Sequence, residues 1–185
     1  MKIGFIGLGN VGAKLAGSLL RNGFDLTIHD ISLEAAQGLR EAGAGWAETP
    51  AELAELCDVT ITCLPSPAIC AQVLEGENGV LQGLGPGKIW AEMSTTDEAE
   101  VKRLGALVQE KGAAPVDCPV SGGCHRAATG NISIFAGCER EVFERMLPLL
   151  TTMGRRVLHT GPLGSASVLK VITNYLATAN LITCC

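Results

Sequence analysis

Apolar residues in this chain fall in short continuous runs that alternate with stretches of helical periodicity. Residues 2–6 read as a buried strand, and residues 11–21 as a helix closed by Asn22-Gly23. A second strand follows at 24–29, then a helix capped by Ser32 that runs to about Ala42, then a brief third strand at 44–46. Pro50 opens a short helix to Leu56. The strand predicted at 58–64 is broken by Pro65-Ser66-Pro67, which starts the next helix. Strands at 88–92, 114–118, 132–136 and 156–159 and helices at 97–111 and 139–150 continue the alternation. Such βαβ punctuation with near-continuous apolar strands predicts an α/β, Rossmann-type fold, a mostly parallel sheet covered by helices on both faces.

From Ser165 the pattern changes. Val168, Leu169, Ile172, Tyr175, Leu176, Ala179 and Leu181 recur at helical spacing, which predicts one long helix with an apolar face that needs a partner. Lys170 is the polar exception in this buried-looking run. The expected division is a nucleotide-binding domain over residues 1–162 and, over 163–185, the start of an interdomain helix whose continuation lies beyond this chain.

Composition narrows the class. A length of 185 residues suits one full domain, and 47% hydrophobic with 18% charged residues describes a packed soluble protein. The 23 glycines are scattered, not periodic, and so imply many tight turns. A net charge of −5 gives no basic footprint for nucleic acid, and no apolar stretch is long enough to predict a membrane span. Cys57, Cys63, Cys70, Cys118, Cys124, Cys138, Cys184 and Cys185 form no CxxC pair. With no signal peptide ahead of the first strand, they are expected to be buried free thiols in a reducing, cytoplasmic setting.

The segment Gly7-Leu8-Gly9-Asn10-Val11-Gly12 is a GxGxxG spacing placed between a strand and a helix. In a nucleotide cradle Gly7 makes the turn, Gly9 lets the backbone approach a pyrophosphate, and Gly12 lets helix and strand pack closely. Free amides at the helix start would then hold the phosphates. Asp30 ends the second strand eighteen positions beyond Gly12 and is placed for the ribose hydroxyls. Its charge would repel a 2′-phosphate, so NAD is favoured over NADP. Arg40 lies in the following helix and looks solvent-facing. The competing reading is a glycine-rich turn with Asp30 capping the next helix.

Four segments together resemble the β-hydroxyacid dehydrogenases, which include 3-hydroxyisobutyrate dehydrogenase and tartronate semialdehyde reductase and are related to 6-phosphogluconate dehydrogenase. Phe5 to Gly12 is similar to the family's cofactor signature, with Val11 where Met is common. Asp117-Cys118-Pro119-Val120-Ser121-Gly122-Gly123 resembles its substrate-binding motif. Gly161-Pro162-Leu163-Gly164 with Lys170 and Asn174 looks like the segment carrying the catalytic lysine and its companion asparagine. Glu92-Met93-Ser94-Thr95 matches a segment that usually has aspartate at Glu92 and places the threonine beside the cofactor. Leu64-Pro65 matches the loop over the nucleotide. The resemblance covers the first part of a family member, whose remainder is an all-helical domain that closes the active site and helps form a homo-oligomer.

The resemblance implies an NAD-dependent oxidoreductase that interconverts a small β-hydroxy acid and its semialdehyde. Lys170 would exchange the hydroxyl proton, since a partly desolvated lysine can have its pKa lowered enough to titrate usefully. Asn174 lies one helical turn away on the same face. Ser121, Gly122 and Gly123 offer a hydroxyl and successive amides for a carboxylate. The cofactor residues implied are Gly7, Leu8, Gly9, Asn10, Val11, Gly12, Asp30, Leu64, Pro65 and Thr95. His125 and Arg126, where the family has small residues, and Ile69, where it often has a polar one, depart from the pattern.

No His, Cys, Asp or Glu group has metal-ligand spacing, so no metal is expected. Cys118 has no identifiable base and reads as a core thiol. His29 and His159 end strands, and His125 is expected alone on a loop. Two other readings stay open: a tartronate semialdehyde reductase-like enzyme, and a shortened, non-catalytic nucleotide-binding or scaffold protein.

Overall fold

The computed structural model describes residues 1–184. Its sheet begins with β1 (Lys2–Ile6), which pairs in parallel with β2 (Asp25–His29) on one side and β4 (Val59–Thr62) on the other. β3 (Gly45–Trp46) extends the first side; β5 (Ile89–Glu92) and β6 (Ala114–Asp117) extend the second, all parallel. The order β3-β2-β1-β4-β5-β6 therefore reverses direction between β1 and β4. A crevice forms at such a switch point, beyond the carboxyl ends of the strands, and every predicted cofactor residue lies at that edge.

Helices cover both faces. α1 (Gly12–Arg21), α2 (Leu33–Glu41) and α8 (Arg140–Met153) supply Leu15, Leu19, Ala36, Met146 and Leu150 to a core against Ile3, Phe5, Ile28 and Ile61. On the other face α3 (Pro50–Leu56), α4 (Pro67–Glu75) and α6 (Glu98–Glu110) pack Leu53, Leu74, Leu104 and Val108 around Trp90. Side-chain caps start four of these helices: Ser32, Thr49, Ser66 and Asp97 each accept a backbone amide of the first turn. α1 has no side-chain cap and no acidic residue in its first turn.

The sequence missed parts of the second half. A four-residue helix, α5 (Val80–Gly83), and a short strand, β7 (Val120–Ser121), fall below the length at which periodicity is visible. Gly122 precedes α7 (Gly123–Ala128), so His125 is exposed on a helix, not a loop, and Arg126 is exposed beside it. β8 (Ile132–Gly137) runs antiparallel to β6 and β7, and parallel to β9 (Gly154–Gly161). Of the cysteines, Cys57, Cys70, Cys118 and Cys138 are buried, whereas Cys63 and Cys124 are only half-buried and Cys184 is exposed; Cys185 lies outside the described residues.

The last helix, α9 (Ser165–Cys184), carries the unpartnered apolar face expected from its sequence. Its apolar stripe faces outward: Val171 is 54% exposed, Tyr175 71% and Leu181 67%. Its buried residues are Ala166, Ser167 and Lys170. The run is helical as predicted, and within it Lys170 is buried while Val171 and Ile172 beside it are exposed.

Candidate functional site

The crevice at the switch point is a cleft of about 590 Å³. Gly7, Gly9, Asn10, Val11 and Gly12 form its floor, with Asp30 at one end and Leu64, Pro65 and Thr95 on the wall. Met93, Ser94, Cys63, Ile69 and Val73 add to that wall, and Val120 reaches it from β7. Ile69 and Val73 stand one turn apart on α4, so the departure at Ile69 makes this wall apolar.

The three glycines differ in what a side chain would meet. Gly7 has φ +93°, and a Cβ there would run into the carbonyl oxygen of Cys63. One on Gly12 would run into the carbonyl oxygen of Gly7 and press on the Phe5 ring at 3.3 Å. At Gly9 a Cβ would meet nothing within 4 Å. Gly7 and Gly12 are therefore required by the protein itself, while Gly9 keeps open a space that the protein does not fill.

Asp30 is engaged by backbone on both oxygens: Leu8 N–H donates to Oδ2 at 2.6 Å and Ser32 N–H to Oδ1 at 2.8 Å. Leu8 is buried and contributes this amide, not a cleft surface. The carboxylate thus locks the glycine turn to the end of β2 and keeps further lone pairs for hydroxyl donors. It does not cap α2, a task that belongs to Ser32.

A second carboxyl fixes the opposite wall. Glu92 is fully buried and accepts from Ser94 N–H at 2.7 Å and from Thr62 Oγ1 at 2.9 Å. Ser94 Oγ in turn accepts from Leu64 N–H at 2.7 Å and the Cys70 thiol at 3.3 Å. The Leu64-Pro65 and Ser94-Thr95 loops are thereby held together through one buried side chain. Burial pushes the Glu92 carboxyl above its ordinary range against these donors, and pushes the Cys63 thiol up to about 12. Such thiols stay protonated and are poor nucleophiles. Among the described residues no group of three metal-ligating side chains comes together.

Of the segment that resembles the substrate motif, Val120 lines the cleft, while Ser121, Gly122, Gly123 and α9 lie beyond its lining. Ser121 is half-buried at the end of β7, while Gly122 and Gly123 are exposed at the start of α7. Lys170 is 9% exposed, and burial lowers its pKa. Among the described residues its ammonium has no carboxylate within ion-pair distance. Asn174, one turn on, is exposed. What joins these segments is Asp117, whose carboxylate accepts from Ser167 N–H at 2.7 Å and Ser167 Oγ at 2.8 Å. Sequence reasoning placed Asp117 in a motif without a role and did not single out Ser167, and spacing alone offers no signal for a contact across fifty residues.

Known proteins resemble this chain in sequence and fold. The chain is 36% identical over 180 residues to mitochondrial 3-hydroxyisobutyrate dehydrogenase of Mus musculus, covering 97% of this chain and 54% of the relative. It is 36% identical over 175 residues to the NAD-dependent L-serine dehydrogenase of Pseudomonas aeruginosa, covering 95% and 59%. The chain thus spans about half the length of the curated relatives it matches. The solved structure of Mycobacterium tuberculosis 3-hydroxyisobutyrate dehydrogenase with L-serine superposes with a TM-score of 0.93 at 27% identity, covering 98% of this chain and 62% of that one. Residues 2–161 match the family described as the NAD binding domain of 6-phosphogluconate dehydrogenase, and the chain belongs to that family, with β-hydroxyacid dehydrogenases as its relatives.

Proposed function

We propose that this chain carries the cofactor site and the proton-exchanging lysine of an NAD-dependent dehydrogenase that interconverts a small β-hydroxy acid and its semialdehyde. The observation that carries the reading is Lys170. It is buried on α9 beside Ala166 and Ser167, and a buried ammonium without an ion-pair partner supports a chemical role for it.

The cleft suits a dinucleotide. The uncapped amides at the start of α1 would hold the pyrophosphate, over the space left open at Gly9. Asp30 would accept the ribose hydroxyls, and its charge favours NAD over NADP. Leu64, Pro65 and Thr95 would line the nucleotide's path across the wall. Bound NAD supplies the hydride acceptor in one direction and the donor in the other.

Ser121 and the amides of Gly122 and Gly123 would hold the substrate carboxylate, with Asn174 beside its hydroxyl. In the oxidising direction neutral Lys170 takes the hydroxyl proton as the carbonyl forms; in the reducing direction its ammonium donates a proton to the developing alkoxide. The lowered pKa makes the neutral form accessible at lower pH than for a lysine in water. Free thiols and the absence of any helix long and apolar enough to cross a membrane support a reducing, cytoplasmic setting among the described residues.

The test is reduction of NAD⁺, with NADP⁺ in parallel, on 3-hydroxyisobutyrate, glycerate, 4-hydroxybutyrate and serine. Turnover of one acid with NAD⁺ is expected, and Lys170→Ala should lower it by roughly 10²–10⁴-fold. A Lys170→Ala protein that turns over normally would remove the lysine from the mechanism. Should the chain bind NADH without turning over any acid, repeating the panel on a chain extended toward the length of its relatives separates a missing domain from a binding protein.

A further inference from the structure

We infer that Asp117 is a positioning residue for Lys170, gripping the first turn of α9 so that the lysine is held inward. The inference rests on the reading of Lys170 given above. Asp117 ends β6 and is fully buried. Both its oxygens are taken by Ser167, one by the amide and one by the hydroxyl, and the amides of Ala166 and Gly164 also lie within its reach. A carboxylate surrounded by the free amides of a helix start fixes both the position of that start and the rotation of the helix about its axis.

Rotation is what matters here. Lys170 follows Ser167 by three residues and so shares its face. Residues Val168 and Val171 sit about 100° around the axis from these positions. Val168, Val171 and Ile172 lie on the other side, 40%, 54% and 48% exposed, the face expected from the sequence to need a partner. The Asp117–Ser167 pair is a buried polar contact at the first turn, on the same side as Lys170. The same carboxylate stands four residues before Ser121, so one side chain sets the lysine helix relative to the segment proposed to hold the substrate.

Asp117 does not act by pairing with the ammonium. Burial lowers the Lys170 pKa, and no carboxylate lies within ion-pair distance of it among the described residues, although Asp117 on β6, Glu98 on α6 and His159 on β9 stand on elements that, with β8, pack against α9. Nor is Glu92 a substitute. It stands opposite Asp117 in the β5–β6 register but is committed to Ser94 and Thr62.

The experiment is an NMR titration of the lysine side chains in the chain labelled with ¹³C-lysine, with Lys170 assigned by its loss in Lys170→Arg. Wild-type Lys170 should titrate below the ordinary lysine value. In Asp117→Asn, which presents an amide N–H to the Ser167 donors, Lys170 should move up to the ordinary value while the other lysines stay put. Ser167→Ala, which keeps the amide contact and loses the hydroxyl, should shift it in the same direction by less. Should Asp117→Asn fail to fold, Ser167→Ala decides alone. An unshifted Lys170 in a folded variant overturns the inference, as does an ordinary value in the wild type. Neither result depends on turnover, so Lys170→Ala activity fails or passes separately: an active Lys170→Ala with a shifted Asp117→Asn leaves the clamp standing and removes only its catalytic purpose.

Discussion

Helices α1 and α9 each follow a strand and a glycine turn, yet they differ in what they bury. α1 buries Gly12, Leu15, Ala16 and Leu19 in keeping with its hydrophobic pattern, together with Gly17 and with Ser18, whose hydroxyl donates to the Thr152 carbonyl. α9 buries Ala166, Ser167 and Lys170 and leaves Tyr175, Leu181 and Ile182 outside. In α1 the packing energy of four small or apolar residues is enough to set the helix, so its start is left uncapped and its amides free for a ligand. In α9 the orientation depends on a carboxylate reaching in from β6. α1 is set by the core it packs into, whereas the start of α9 is tied to the sheet by a buried polar pair with a buried lysine on the same side.

The comparison breaks most severely at Gly12. Gly12→Val would drive a side chain into the Gly7 carbonyl and the Phe5 ring, forcing α1 away from β1. Overpacking of this kind costs about 1–3 kcal/mol, and the displaced amides should no longer bind NADH. Urea denaturation should show a lowered midpoint, with NADH fluorescence titration showing lost affinity. A variant with unchanged midpoint would mean that α1 is not held by this close approach. Gly9→Val is the matched contrast, because Gly9 lies outside the left-handed region and its Cβ meets nothing within 4 Å. Its unfolding free energy should stay within about 0.5 kcal/mol of the wild type, while NADH affinity falls at least about tenfold, or about 1.4 kcal/mol. Undiminished affinity would show that no dinucleotide crosses this turn.

Legibility follows the same division. The β1–α1–β2 unit was readable because strand, glycine spacing, helix and terminal Asp30 all agree locally, and the Ser32 cap and the proline starts mark the following helices. α5, β7 and α7 were not, since a few residues carry no period. The direction of β8 was hidden as well: an apolar strand reads the same parallel or antiparallel, and its partners are set by β7 and β9 around it. In α9 the spacing revealed which residues share a face but not which face meets the sheet. That was decided by Asp117 and Ser167, fifty residues apart. Lys170 could be named through the family resemblance, in a run that looks buried; that Ser167 shares its buried side could not.

The smallest effect expected is also the most direct probe of α9. Burial holds the Lys170 pKa below that of the unfolded chain, so between the two values the unfolded chain binds more protons. Stability therefore rises with pH across that window, and the penalty for the buried ammonium is present in full below it. Lys170→Met, of similar length and without charge, should be more stable than the wild type at neutral pH, by on the order of 1 kcal/mol. The advantage should shrink as pH rises through the folded-state value toward that of a free lysine. Asp117 and Glu92, whose carboxyls burial raises, contribute the opposite slope at acidic pH and do so equally in both proteins. Thermal melts of the pair from pH 6 to about pH 10 would isolate the difference, because the two share every other titrating group. A Lys170→Met protein that is less stable at every pH would mean that the ammonium makes a net favourable contact, and α9 would then resemble α1 after all, with its buried face chosen for the fold alone.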